Sequence, residues 1–343
     1  MAATIDIEQP LALQAYLRRT GRIGAREEPL IQPLGGGVSN RVMLVQRPNG
    51  EAWVIKQALR RLRVAVEWYS SPERSHAEAL GLRWLPALAP AGATTPLIFE
   101  DQAEHIVAAQ AAPQPNELWK TMLLAGRIKI AHAEQFGTLL GTIQRCSAER
   151  QAELASLFND RSFFETLRIE PYYIYTWTQT PQAGAFFDAL ISATRTRRQV
   201  LVHGDYSPKN ILVHNDRLIL IDHEVIHFGD PAFDSGFALA HLLSKANHVA
   251  TRRDALAEAA LRFWQAYCAE IERLAWASGI EQRVVRHTLG VLLARVIGRS
   301  QLTYLTRADR QRQQSASLAL IAQLPANVAE LIEQYLAHLA AAG

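Results

Sequence analysis

The chain has 343 residues, 49% of them hydrophobic and 20% charged, with a formal net charge of +3, the profile of an ordinary globular protein with material for two domains or two lobes. That charge is too small and too dispersed to suggest a nucleic-acid partner. Two cysteines, Cys146 and Cys268, stand far apart and outside metal-ligand spacing, which predicts a reduced, cytoplasmic setting. Asp6 and Glu8 occupy a region where a signal peptide would be cationic, and no apolar run approaches the length of a membrane span. The expectation is a chain that is neither secreted nor membrane-associated, with its oligomeric state left open.

Residues 8–20, EQPLALQAYLRRT, put Leu11, Ala15, Tyr16 and Leu17 on roughly one helical face, with Gly21 as a stop. This predicts a packing helix that carries no chemistry. Ile31 to Leu34 then leads into Gly35-Gly36-Gly37-Val38-Ser39-Asn40, after which Val42 to Val45 alternates as a strand. Glycines between strands let the backbone approach a ligand closely and present N–H groups to phosphate oxygens. Gly35, Gly36, Gly37, Ser39 and Asn40 are therefore candidate phosphate contacts, although a flexible hairpin turn reads the same way. Trp53-Val54-Ile55-Lys56 follows the turn Pro48-Asn49-Gly50 as a strand that delivers a lysine. Ser70 to Leu85 reads as a helix capped by Ser71, with Pro72 at its first position and Ala77, Leu80 and Trp84 on one face. Glu78, near the middle of that helix, is preferred over Glu73 as the carboxylate partner of Lys56; a surface glutamate is the bland alternative.

Pro96 to Glu100 and His105 to Ala109 are strand-like, and the prolines at 113 and 115 mark a connection that cannot continue a sheet. A lobe boundary is expected there, dividing residues 1–112 from 113–343. Beyond it, Asn116 to Leu124 and His132 to Arg145 show helical apolar spacing, for instance Phe136, Leu139, Leu140 and Ile143. The aromatic residues Phe163, Phe164, Tyr172, Tyr173, Tyr175 and Trp177 read as core or an interlobe pad in preference to the lining of a pocket.

Residues 200–234, VLVHGDYSPKNILVHNDRLILIDHEVIHFGDPAFD, organise the rest. Two apolar runs, Val200 to Val202 and Leu218 to Ile221, each deliver an acid, Asp205 and Asp222. Ile211 to Val213 and Leu218 to Ile221 predict strands around the turn His214-Asn215-Asp216-Arg217, which brings Asn210 beside Asp222. Phosphoryl transfer needs one carboxylate facing the acceptor hydroxyl and others facing Mg2+. Asp205 is the candidate base, while Asn210, Asp222 and Glu224 offer the hard oxygens that Mg2+ prefers.

His203-Gly204-Asp205 with Asn210, then Ile221-Asp222-His223-Glu224 and Gly229-Asp230-Pro231 with Asp234, resembles the aminoglycoside phosphotransferase and choline kinase superfamily. This is the small-molecule branch of the protein-kinase-like fold, and the resemblance runs from about residue 30 to about residue 310. It implies an α+β, bilobal architecture: a small N-terminal antiparallel sheet lobe that binds ATP, and a larger, mainly helical C-terminal lobe. It implies ATP and Mg2+ as cofactors, Asp205 as the base, Asn210 and Asp222 as Mg2+ ligands, and Asp234 as the brace of the catalytic loop, with His203 and Lys209 as further supports. Lys56, paired with Glu78, would hold the α- and β-phosphates, and the adenine would sit against the hinge near Ala109 to Ala112. Methylthioribose kinases share the Asp-x-Glu pattern of Asp222 and Glu224 but tend to have serine where Asn210 stands. Choline, homoserine, fructosamine and antibiotic kinases remain open.

Helices are expected at 236–245, 253–275, 281–306 and 316–341. Ala294 to Ser300 with Tyr304-Leu305 is similar to a C-terminal element of the family, except that Ile297 replaces a frequent Asp and Arg299 a frequent Lys. Arg295 and Arg299, four apart on one helical face, are candidate acceptor contacts, and two surface arginines read equally well. From Ala240 to Gly343 twelve Lys and Arg stand against eight Asp and Glu, which argues against a polycationic acceptor. The expected function is transfer of the ATP γ-phosphate to a hydroxyl of a small neutral or anionic metabolite, sugar-like by preference. The alternatives are a catalytically silent nucleotide-binding protein on the same fold and an antibiotic kinase. A protein kinase is disfavoured, because Gly229-Asp230-Pro231 follows Asp222 too closely for a usual activation loop and no Ala-Pro-Glu follows.

Overall fold

The computed structural model describes residues 5–35, 37–63 and 67–341. Strand alternation organises its first part. Strands β1 (Leu30–Pro33), β2 (Asn40–Gln46), β3 (Ala52–Ala58), β4 (Leu97–Asp101) and β5 (Ile106–Gln110) form one antiparallel sheet in the order β1-β2-β3-β5-β4. Along β3, Trp53 and Ile55 are buried with Met43, Val45, Phe99, Ile106 and Ala108 beneath helix α1 (Pro10–Arg19). Because side chains alternate across a strand, Lys56 points the other way. There helix α2 (Arg74–Trp84) covers the sheet and packs Ala79 and Leu82 against Val107. The face of α1 differs from the expectation: Leu13, Tyr16 and Leu17 are buried, and Leu11 is 81% exposed. Helix α2 is bounded at Arg74, later than expected, because the chain ahead of it closes tighter turns, with the Arg74 N–H on the Ser71 carbonyl at 3.3 Å and the Ser75 N–H on the Pro72 carbonyl at 3.0 Å. Ser71 Oγ still accepts the Glu73 N–H at 3.3 Å, as a capping side chain does.

The second part is mainly helical. Strand β6 (Glu117–Leu118), α3 (Trp119–Leu124), α4 (Ile130–Glu149), α5 (Gln151–Leu157) and α6 (Ser162–Phe164) lead into a π-helical stretch, Glu165–Ile174, followed by α7 (Tyr175–Gln179) and α8 (Gly184–Thr196). Four short strands come next: β7 (Val200–Val202), β8 (Ile211–His214), β9 (Arg217–Leu220) and β10 (His227–Gly229). The chain then forms α9 (Ala232–His248), α10 (Arg253–Ile271), α11 (Ile280–Ile297), α12 (Arg307–Ala322) and α13 (Val328–Ala341). Helix α9 is buried on every side from Ala232 to Asn247, including its polar residues Asp234, His241 and Lys245.

The expected hairpin is present. Strands β8 and β9 pair with Ile211 opposite Leu220, Asn215 and Asp216 take positive φ in the turn, and the Ile221 N–H donates to the Asn210 carbonyl at 3.0 Å. Several helix bounds need correction. The segment Asn116 to Leu124 opens as β6, and the helix expected to run to residue 306 ends at Ile297, capped by Gly298. The last expected helix is two, α12 and α13, separated by a segment containing Pro325, whose ring cannot continue a helix. Phe164, Tyr172 and Tyr173 are core, as expected, whereas Trp177 is 37% exposed. Among the described residues no helix is long and apolar enough to cross a membrane.

Candidate active site

The loop after β7 is fixed from behind. The backbone N–H groups of His203 and Gly204 donate to the two carboxylate oxygens of Asp234, at 2.6 and 2.9 Å, from the first turn of α9. Burial pushes the Asp234 carboxyl up to about 7 even against these two bonds. Gly204 takes φ +77, and a Cβ there would lie 2.9 Å from the Val225 carbonyl oxygen, so the turn accepts only glycine. Asp205 follows, 3% exposed. Its Oδ2 lies 2.7 Å from Lys209 Nζ and 3.0 Å from the Arg168 guanidinium, while Oδ1 has no hydrogen-bond partner among the described residues. Burial alone would raise the Asp205 carboxyl; Arg168 and Lys209 outweigh it and hold the group below the ordinary range. Burial takes His203 down to about 4, so the ring is neutral, and its Nδ1 accepts the Asp205 N–H at 3.2 Å.

The hairpin brings the second set of groups to this loop. Asn210 Nδ2 donates to the Asp205 carbonyl at 2.9 Å, which leaves its amide oxygen as a ligand atom. Asp222 leaves β9 with φ +71, a left-handed conformation that aspartate tolerates better than most residues. Lys56 Nζ lies 2.6 Å from Glu78 Oε1 and 3.0 Å from Asp222 Oδ1. Gly81 makes this reach possible, because a Cβ there would lie 2.6 Å from His223 Cβ. Helix α2 therefore presses against the turn just after Asp222, and Glu78, one helical turn earlier, meets Lys56. Burial opposes the charge on Lys56, yet Asp222 and Glu78 hold its pKa above the ordinary value. Burial likewise raises Glu78, with Lys56 pulling it back. The less favoured partner, Glu73, is exposed.

Glu78, Asp222 and Glu224 each place an oxygen within 4.8 Å of one another, hard carboxylate oxygens of the kind Mg2+ takes. One oxygen of Glu224 is already engaged, accepting from Arg74 Nε and from Asn40 Nδ2, both at 3.1 Å. Arg74 is fully buried and also donates to the carbonyls of Ser39 and Leu59, and Asn40 Nδ2 reaches Ser39 Oγ at 3.2 Å. The segment after β1 is thus tied to α2 and to Glu224 by one guanidinium. Gly35 and Gly37 are exposed, and a Cβ on Gly35 would meet nothing within 4 Å; Gly36 lies outside the described residues.

Sequence reasoning did not single out Arg74 or Arg168. The available signal was a lone arginine within an apolar stretch, as in Leu167-Arg168-Ile169. Arg295 and Arg299 do not share a helical face. Arg295, 8% exposed near the end of α11, donates to Tyr172 Oη and Ser300 Oγ, both at 2.8 Å. Arg299 lies past the helix end, exposed, 3.4 Å from Glu170 and stacked on the Tyr175 ring. A surface cavity of about 560 Å³ behind α2 and another of about 690 Å³ around residues 271–282 lie away from Asp205 and have no part in this cluster.

The model of the phosphotransferase enzyme family matches residues 30–277. Methylthioribose kinase 2 of Oryza sativa subsp. japonica is 28% identical over 267 residues, covering 68% of this chain and 61% of that protein. The chain therefore spans under two thirds of the rice relative's length. The methylthioribose kinase of Yersinia pseudotuberculosis is 26% identical over 355 aligned positions, covering 88% of this chain and 86% of that protein. Among solved structures, amicoumacin kinase hAmiN in complex with AMP-PNP, Ca2+ and Ami aligns at 13% identity with a TM-score of 0.56, covering 93% of this chain and 96% of that one. A choline/ethanolamine kinase family protein from Mesorhizobium loti aligns at 13% identity with a TM-score of 0.52, covering 95% and 98%. At such identities the structures speak for the fold alone, which is the bilobal protein-kinase-like one. With a family match over most of its length and that fold, the chain belongs to the phosphotransferase enzyme family.

Proposed function

We propose that this protein transfers the γ-phosphate of ATP, with Mg2+, to a hydroxyl of a small, sugar-like metabolite. One observation carries the reading: a strand lysine, a helix glutamate, a loop aspartate and a hairpin bring Lys56, Glu78, Asp205, Asn210 and Asp222 together from positions up to 166 residues apart. The methylthioribose kinase relatives support a sugar-like acceptor. The proposal includes a nucleotide-binding lobe over residues 1–112, an acceptor lobe over 113–343 and a cytoplasmic setting.

In this reading Asp205 Oδ2 stays bound to Arg168 and Lys209, and the unpartnered Oδ1 accepts the hydrogen bond of the acceptor hydroxyl. A carboxylate held below its ordinary pKa is a weak base. That suits a loose phosphoryl transition state, in which the hydroxyl must be aimed first and gives up its proton late. Lys56, steadied by Glu78, holds phosphate oxygens, and Gly35, Gly37, Ser39 and Asn40 offer further phosphate contacts; Asn210 and Asp222 would hold Mg2+, with Glu224 able to serve a second ion through its remaining oxygen. When bound, the ion supplies neutralisation of phosphate charge. Asp234 keeps the loop in place through its two backbone bonds, and neutral His203 adds no charge beside Asp205.

Asp205→Asn tests the reading. Transfer should fall by ~10²–10⁴, while Mg2+-dependent ATP binding, measured by calorimetry, stays near wild type. A variant retaining more than a tenth of the turnover would remove Asp205 from the role of base. Nucleotide binding by the wild type without ATP consumption over a panel of sugars, thio-sugars, amino alcohols, hydroxy acids and aminoglycosides would favour the silent alternative.

A further inference from the structure

Around Lys245 positive charge accumulates, and the nearby acid, Asp309, which bears on Tyr304, is already bonded to His248 and Arg312. Lys245, from the buried helix α9, is 1% exposed, and its Nζ donates to the His241 carbonyl at 3.1 Å. Its ammonium lies 5.6 Å from the centre of the Tyr304 ring, and Lys120 of α3 lies 5.9 Å from the same ring. Arg295 enters from α11 over Tyr172. The groups acting on Lys245 are burial, Lys120 and Arg295; those acting on Lys120 are burial, Lys209 and Arg295, and no carboxylate is among them. Burial and these neighbours bring Lys245 down to about 7. Three buried polar atoms here have no partner among the described residues: His241 Nε2, Tyr304 Oη and Arg295 Nε. Lys209, which bonds Asp205, also bears on Lys120 and His241, so the cluster adjoins the reacting end of the loop.

Taking the phosphotransferase reading of Asp205 as its basis, we propose that Lys245, Lys120 and Arg295, with His241 and Tyr304, form an anion-binding end of the acceptor pocket. The acceptor is then a hydroxylated carboxylate or phosphate, held by its charge while its hydroxyl meets Asp205. A buried ammonium beside two like charges is costly until an anion shares the site, and carboxylate or phosphate oxygens give it charge-assisted hydrogen bonds. The same oxygens satisfy the donors that lack partners. Arg299, engaged with Glu170 and exposed, takes no part. This acceptor differs in charge from methylthioribose, an uncharged thio-sugar. Of the twelve bases in the C-terminal region, Arg252, Arg262, Arg273, Arg299 and Arg307 are exposed, so the weight of the charge argument rests on the buried Lys245 and Arg295.

Calorimetric titration tests the pocket, with the nucleotide site filled by AMP-PNP and Mg2+. The probes are inorganic phosphate and D-glycerate, against uncharged glycerol. At least one anion should bind ten times or more as tightly as glycerol, and which one binds tells phosphate from carboxylate recognition. Lys245→Met and Lys120→Met should each weaken the anion at least tenfold, with Arg262→Ala unchanged. Neither change should unfold the protein, since each removes a charge that lacks an acidic partner; melting curves check this, and Lys120, which is less buried, keeps the test open if Lys245→Met misfolds. Anions binding no better than glycerol, or anion affinity unchanged within twofold in both lysine variants, would overturn the pocket. Turnover is scored separately. Lysine-dependent anion binding with no ATP consumption over the whole acceptor panel named above sinks the kinase reading and leaves the pocket standing. Turnover of uncharged acceptors alone sinks the pocket and leaves the kinase reading.

Discussion

Lys56, half-buried in the cleft, and Lys245, fully buried, respond to desolvation in opposite ways. Lys56 sits 2.6 Å from Glu78 and 3.0 Å from Asp222 and is held firmly protonated. Lys245 meets a backbone carbonyl and other cations, and falls to about 7. Desolvation acts against the charge of both, so the difference lies in the neighbouring charges. At Lys56 the chain supplies its own counter-ions and fixes the charge before any ligand arrives. At Lys245 it supplies none, and the charge is left for a ligand to settle.

The contrast is lost most severely at Lys56. Lys56→Met leaves the buried Glu78 carboxylate without its cation beside the half-buried Asp222, and should destabilise the fold by about 3 kcal/mol. Denaturant melts measure this, and a nucleotide titration should show ATP binding lost as well. Next in size, Asp222→Ala should weaken Mg2+-dependent ATP binding by about 10–100-fold, and more than Glu224→Ala does, because one oxygen of Glu224 already serves Arg74 and Asn40. Titrations with and without Mg2+ compare the two, and equal losses would mean that both carboxylates hold ions.

A third change sharpens the contrast through pH. Between about 7, the native value for Lys245, and its ordinary 10.5, the unfolded chain keeps this proton and the native protein releases it. The unfolded state therefore binds more protons, and native stability rises with pH, by up to about 1.4 kcal/mol per unit from this one group. Melts of wild type and Lys245→Met at pH 7, 8 and 9 should show the slope reduced in the variant; identical slopes would mean that Lys245 is charged in the native protein throughout. The smallest effect belongs to Arg262→Ala, which breaks an exposed pair with Glu134. It should change stability by under about 0.5 kcal/mol and leave turnover as it was.

What the sequence disclosed follows from how near in the chain each group stands to its partners. Asp205, Asn210 and Asp222 lie within one stretch whose spacing is a hairpin's, and Lys56 is placed by strict alternation along β3, so these were legible. Arg74 meets Glu224 across 150 positions and Arg168 meets the Asp205 loop across 36, and nothing beside either residue announces such a partner. Lys245 left a trace, a single lysine in the otherwise apolar or neutral run Ala238 to Asn247, which reads as a charge carried inside rather than a solvated face. Arg299 misled because the apolar pattern runs through Gly298, where the helix stops. Counting bases treated exposed and buried ones alike, although only burial gives a charge leverage on a ligand.

The contact between Gly81 and His223 bears on how such a catalyst could be governed. Kinases under external command carry the glutamate helix on a hinge, and a partner or a phosphate group pushes it between engaged and withdrawn positions. Here a glycine of that helix lies flush against the turn that follows Asp222, so any bulkier residue at 81 would wedge α2 outward and draw Glu78 off Lys56. The reach of the ion pair is thereby set at a position that touches neither of its members.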